Sequence, residues 1–153
     1  MFQSRLHHVG IIVSDEEQVN LLAALLGLGR GDSEYVAEYE AQCYFTGAGT
    51  AGAGAAIEFI VPRPDSKLTK FNKGFGGLHH IALEVDDLAD ASAALRERGV
   101  KLLEDHPVDA GSLLINFVPP LYTRGFIVEF IQRKTREVLR TELQEGDHVG
   151  PAL

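Results

Sequence analysis

The chain repeats itself. Leu6-His7-His8-Val9-Gly10-Ile11-Ile12-Val13-Ser14-Asp15 returns 72 residues later as Leu78-His79-His80-Ile81-Ala82-Leu83-Glu84-Val85-Asp86-Asp87, and Gly27 returns at the same offset as Gly99. Each copy closes with a glutamate inside an apolar stretch, Ala56-Ile57-Glu58-Phe59-Ile60 in the first and Ile127-Val128-Glu129-Phe130-Ile131 in the second. A duplication of this kind restricts the chain to two half-domains of one plan sharing a core. Each half brings one histidine and one glutamate to that core, and two such pairs facing each other make a four-ligand metal site.

A length of 153 residues suits one compact domain that buries its core without disulfides. The expected division is a single domain over residues 1–132, with module one at 5–62, a linker at 63–76, module two at 77–132, and a charged tail at 133–153. A lone cysteine, Cys43, forms no internal disulfide, which fits a reducing compartment. No secretion signal opens the chain and no apolar run is long enough to span a membrane, so the expectation is a soluble, cytoplasmic protein without a membrane partner. The net charge of -8, with scattered Lys and Arg, argues against a nucleic-acid groove, which needs a basic patch.

Residues 6–13 read as a strand with Val9, Ile11 and Val13 on one face and His8, Gly10 and Ile12 on the other. Ser14 to Glu17 has capping-box spacing, and Val19, Leu22, Ala23 and Leu26 form the buried stripe of a helix that stops at Gly27. Residues 35–45 and 56–61 then read as strands around a Gly/Ala-rich loop, with a further short strand near Arg30 to Tyr35. Module two repeats the plan: a strand at 78–85, a helix starting after Asp86 or Asp87 and ending at Gly99, and strands near Lys101 to Leu103, Leu113 to Val118 and Phe126 to Gln132. The tail reads as a short exposed helix and a loose end.

Side chains alternate faces along a strand. His8 and His80 therefore lie opposite the helix-facing triplets, and Glu58 and Glu129 lie opposite their apolar neighbours. His7 and His79 fall with the triplets and read as satisfied core residues. If the half-sheets curl together, His8, Glu58, His80 and Glu129 line the interior of a cup. An unpaired buried carboxylate costs several kcal/mol, and a divalent cation removes that cost. Two imidazoles and two carboxylates suit Zn, Ni, Co, Mn or Fe and leave an octahedral ion open positions for substrate.

These motifs resemble the vicinal oxygen chelate superfamily, whose members include glyoxalase I, extradiol dioxygenases, fosfomycin resistance proteins and methylmalonyl-CoA epimerases. The epimerases are the most similar. The likeness is carried by His8-Val9-Gly10, Ile57-Glu58-Phe59-Ile60 with Pro62, Phe71 and Lys73 before Gly76-Gly77-Leu78-His79-His80, Val85-Asp86-Asp87-Leu88, Ile115-Asn116-Phe117, and Thr123 and Gly125 before Val128-Glu129-Phe130. It covers residues 5–132.

The resemblance implies an α+β fold of paired βαβββ modules forming a curved, incompletely closed barrel around one divalent metal ion held by His8, Glu58, His80 and Glu129. It also implies a substrate that chelates the ion through two oxygens, such as a 2-substituted malonyl-CoA, and proton transfer at C2 through a metal-stabilised enolate. Glu129 is the candidate for one acid/base. Glu40, on a strand face shared with Glu38, Gln42 and Tyr44, is the candidate for the other. Asn116, Thr123, Arg124 and Lys73 are candidates for substrate contacts, and a homodimer is expected. Glyoxalase I is the nearest enzyme alternative, because its ligand types and chain order are the same. A metal-free small-molecule-binding protein is the alternative from another class.

Overall fold

Four strands from each copy of the repeat join in one eight-stranded mixed sheet. The computed structural model describes residues 2–46 and 55–134. Module one supplies β1 (Ser4–Ile12), α1 (Glu16–Leu25), β2 (Arg30–Val36), β3 (Ala41–Thr46) and β4 (Ala56–Pro62). Module two supplies β5 (Gly77–Val85), α2 (Leu88–Glu97), β6 (Val108–Ala110), β7 (Leu113–Val118), the one-turn α3 (Pro120–Thr123) and β8 (Ile127–Arg133). Residues 47–54 of the predicted loop at 47–56, and the predicted tail helix beyond Lys134, lie outside the described residues.

The order is β2-β3-β4-β1-β5-β8-β7-β6. β1 runs parallel to β4, β5 runs parallel to β8, and the two halves meet where β1 pairs antiparallel with β5. The sheet curls into a nearly closed barrel with one seam between its edges. At that seam Ser112 N donates to Glu34 Oε1 at 3.0 Å, tying β2 to the β6–β7 turn. Gly111, at φ +63°, leaves room for the Glu34 carboxylate, which a Cβ there would overlap.

Alternation along the strands separates three apolar clusters. Val13, Val19, Ala23 and Phe59 pack under α1; Val85, Leu88, Ala91, Val128 and Phe130 pack under α2. Ile12, Ile60, Ala82, Ile115, Phe117 and Ile131 pack inside the curl. The helix-facing and interior sets are those that period-2 reading assigns.

Local chemistry shifts three boundaries. Asp15, not Ser14, caps α1, because its carboxylate accepts from Gln18 N at 2.9 Å. The expected continuous strand at 35–45 breaks: Ala37–Tyr39 form a 3-10 turn and Glu40 sits in the left-handed region at φ 48°. The linker holds that turn, with Arg63 N donating to Glu40 O at 2.8 Å and Ser66 Oγ donating to Tyr39 O at 2.6 Å. The strand expected at Lys101 to Leu103 is absent among the described residues, and β6 lies at Val108–Ala110 instead. Leu103 N donates to Phe117 O of β7 at 2.8 Å, but at the next residue the side-chain amide of Asn116 occupies both the N–H and the C=O of Glu104, so the pairing does not extend.

Candidate metal centre and its cavity

β1 and β5 place His8 and His80 side by side at the centre of the sheet, and their parallel neighbours β4 and β8 bring Glu58 and Glu129 to the same inner face. All four are buried. His8 Nε2 and His80 Nε2 stand 2.9 Å apart. Glu129 Oε2 is 3.2 Å from each of them, and Glu58 Oε2 is 3.3 Å from His8 Nε2 and 3.4 Å from His80 Nε2. His8, His80 and Glu129 present ligand atoms that all lie within 4.8 Å of one another.

These spacings suit one cation. With metal–ligand bonds of about 2.1 Å, neighbouring donors are about 3.0 Å apart in an octahedron and about 3.4 Å apart in a tetrahedron. The separations between the two histidines and from each of them to Glu58 and Glu129 span 2.9 to 3.4 Å, while the set in which every ligand atom lies within 4.8 Å of every other is His8, His80 and Glu129, without Glu58. Glu129 Oε2 is moreover buried without a hydrogen bond, although two imidazole nitrogens lie close by. A buried carboxylate oxygen left without a hydrogen bond beside two imidazole nitrogens is a group that a divalent ion would satisfy.

The electrostatics agree. Burial alone would lower the pKa of His8, but the carboxylates of Glu129 and Glu58 beside it outweigh that and hold the imidazole well above its ordinary value. Burial would raise Glu129, yet His80 and His8 drive it below the usual carboxylate range. Without an ion, a proton fills the role of the cation.

Gly10 makes this approach possible. It pairs with His80 across the β1–β5 ladder, and a Cβ at this position would fall 2.2 Å from His80 Cε1. Ala82, paired with His8, holds the matching place in module two.

His7 and His79 depart from the expected alternation. Between Leu6 and His8 the β1–β5 register gains a residue in β1, and between Leu78 and His80 it gains one in β5. His7 and His79 are the extra residues. Each bulge turns its side chain toward the following histidine: His7 Nδ1 lies 2.7 Å from His8 Nδ1, and His79 Nδ1 lies 2.9 Å from His80 Nδ1. Burial lowers the pKa of His79 to about 4 and also lowers that of His7, so both rings are neutral at pH 7.

The quartet helps to line a cavity of about 130 Å³ inside the barrel. Val36, Ile60, Leu113, Ile115, Phe117 and Ile127 make most of its wall apolar, and Glu34, Tyr39, Cys43 and His79 add polar or ionisable groups. Tyr39 Oη is buried without a hydrogen-bond partner. Burial, then the charges of Glu104 and Glu129, push its phenol far above the ordinary value. Burial, then Glu58, raise the Cys43 thiol, which stays protonated.

The other expected site residues fall elsewhere. Glu40 is exposed on the turn and does not line the cavity. Asn116 is fully buried but turned to the 101–106 segment, where its Oδ1 accepts from Glu104 N and Phe117 N and its Nδ2 donates to Glu104 O. Thr123 Oγ1 donates to Phe126 O and closes the turn after α3. Arg124 and Lys73 are exposed, at left-handed φ angles of 65° and 57°. Tyr39 has no counterpart in the repeat, and only the position of the turn brings it to the wall.

The glyoxalase/bleomycin resistance protein/dioxygenase superfamily model matches residues 7–117. The mitochondrial methylmalonyl-CoA epimerase of Bos taurus is 28% identical over 130 residues, covering 84% of this chain and 74% of that protein. That of Dictyostelium discoideum is 28% identical over 134 residues, covering 84% and 78%. Methylmalonyl-CoA epimerase from Mycobacterium tuberculosis superposes with a TM-score of 0.78 at 25% identity, over 88% of this chain and 91% of that one. A Streptomyces coelicolor methylmalonyl-CoA epimerase variant, solved with 2-nitronate-propionyl-CoA, gives 0.75 at 26% identity over 86% and 99%. With a curled double-module sheet and a family match over most of its length, the chain belongs to the glyoxalase/bleomycin resistance protein/dioxygenase superfamily.

Proposed function

We propose that this protein is a metal-dependent epimerase of a 2-substituted malonyl-CoA such as methylmalonyl-CoA, with His8, Glu58, His80 and Glu129 holding one divalent ion. The observation that carries the reading is the buried, hydrogen-bond-free Glu129 Oε2 set against two imidazole nitrogens in the lining of an apolar cavity. The similarity to methylmalonyl-CoA epimerases supports the substrate class. A bound ion supplies Lewis-acid stabilisation of the negative charge that develops on the substrate oxygens.

The residues of the chain do the rest. The apolar wall excludes water and strengthens the charge interactions at the reacting carbon. A cavity of about 130 Å³ takes the short acyl end and leaves the nucleotide outside. Glu129, ionised by its surroundings, is the base that removes the proton at C2. Tyr39 is the candidate for the second proton carrier in place of Glu40: its phenol stays protonated and lines the cavity wall. A cytoplasmic homodimer completes the proposal.

The test is deuterium incorporation from solvent at C2 of methylmalonyl-CoA, with metal-loaded protein against a chelator-stripped control. Metal-dependent exchange supports the reading. Metal binding without exchange moves the substrate to the 2-oxoaldehyde–thiol adducts of glyoxalase chemistry.

A further inference from the structure

The two β-bulges carry an inference that rests on the metal reading and extends it. A bulge adds one residue and re-aims its side chain, and here the added residue is a histidine in both strands of the central pair. The repeat has thus placed the same device twice, at contacts of 2.7 and 2.9 Å. Both contacts join Nδ1 to Nδ1, so each leaves Nε2 of the following ring facing the quartet. We infer that His79 is a positioning residue: it accepts the Nδ1 proton of His80 and thereby presents the Nε2 lone pair of His80 to the ion.

An imidazole that ligates through Nε2 carries its proton on Nδ1, and that proton needs an acceptor when buried. Peptide carbonyls or carboxylates are common acceptors; here the neighbouring imidazole is in place. His79 is held for this role by the edge-on ring of Phe71, with centroids 4.8 Å apart. His7 is held from outside, where Arg133 Nη2 lies 2.8 Å from His7 Nε2. A guanidinium donating there would favour a proton on His7 Nδ1, the opposite polarity. Arg133 also pairs with Glu84 at 3.2 Å and holds both contacts together, so the His7 contact does not carry the inference. The His79 relay has no guanidinium contact among the described hydrogen bonds, which makes it the cleaner one to test.

His79→Phe keeps an aromatic ring against Phe71 and removes the acceptor, whereas His79→Gln keeps an acceptor oxygen. The measurement is Co(II) affinity of the full chain by competition with a chromophoric chelator, together with the visible spectrum of bound Co(II). His79→Phe is expected to weaken Co(II) binding by about 10- to 100-fold with a changed spectrum, and His79→Gln to recover most of that loss. If His79→Phe fails to fold, the Gln variant decides: binding within about threefold of the unsubstituted protein upholds the inference, and a loss of about tenfold or more overturns it. His79→Phe binding within about twofold, with an unchanged spectrum, also overturns it while the metal reading stands. An unsubstituted protein that takes up no divalent ion overturns both.

Discussion

His8 Nε2 and His80 Nε2, 72 residues apart in the chain, stand 2.9 Å apart in the barrel. Each has a carboxylate oxygen of Glu58 and another of Glu129 within 3.2 to 3.4 Å, so a change at any of the four reaches the other three.

Glu129→Gln keeps the volume and removes both the charge and the base. Turnover should fall by about 10²- to 10⁴-fold in the C2 deuterium-exchange assay, with weaker binding of the ion. Near-normal exchange would take Glu129 out of the chemistry.

The metal-stripped protein should lose stability as pH rises from near neutral through about 9. The folded pKa of His8, raised to about 9 from 6.5, contributes stability that is fully present below 6.5 and lost as pH climbs through 9. The depressed carboxyl of Glu129 contributes stability present above 4.5 and lost as pH falls below it. Thermal midpoints against pH, with and without the ion, read this. The loaded protein should be flatter on the alkaline side, because the ion replaces the proton.

Gly10→Ala places a methyl group where the His80 ring lies. On the proposed metal reading the ring carries a ligand nitrogen and has to move, so affinity for a divalent ion should drop by about tenfold or more, read by calorimetric titration. Unchanged affinity would mean that the ring yields without leaving the ion.

Tyr39→Phe deletes only the buried, unpartnered Oη. Exchange should slow by about tenfold or more with metal affinity unchanged, while Glu40→Gln, on the exposed turn, should stay within about twofold of normal exchange. The reverse order would return the second proton carrier to Glu40.

Asn116→Ala should cost about 2–4 kcal/mol of stability, since three hydrogen bonds disappear and the backbone of Glu104 loses its partners. KM should not move. A raised KM at unchanged denaturation midpoint would restore Asn116 to the substrate site.

The quartet was legible because it depends on two things a sequence displays: the repeat and the period of two. His8, Glu58, His80 and Glu129 sit in apolar strands whose neighbours declare the buried face, so their common side follows before any pairing is known. The same rule misplaced His7 and His79. A bulge is a property of two paired strands, since the extra residue exists only relative to the partner's register, and nothing in Leu6-His7-His8 announces it. Glu40 lies exposed and Tyr39 lines the cavity for a related reason, because the turn at 37–40 is pinned by Arg63 and Ser66 from the linker.

The amino-acid order by itself thus determined the two-module plan, the inward face of each module and the four groups that share it, because strand periodicity is local and the duplication writes it twice. Only the tertiary structure decided which neighbours serve those groups: the bulges that turn two more histidines inward, the glycine that admits an imidazole, the tyrosine that reaches the wall. These depend on register and on contacts between distant segments, which are set when the sheet closes and not by any stretch of chain alone.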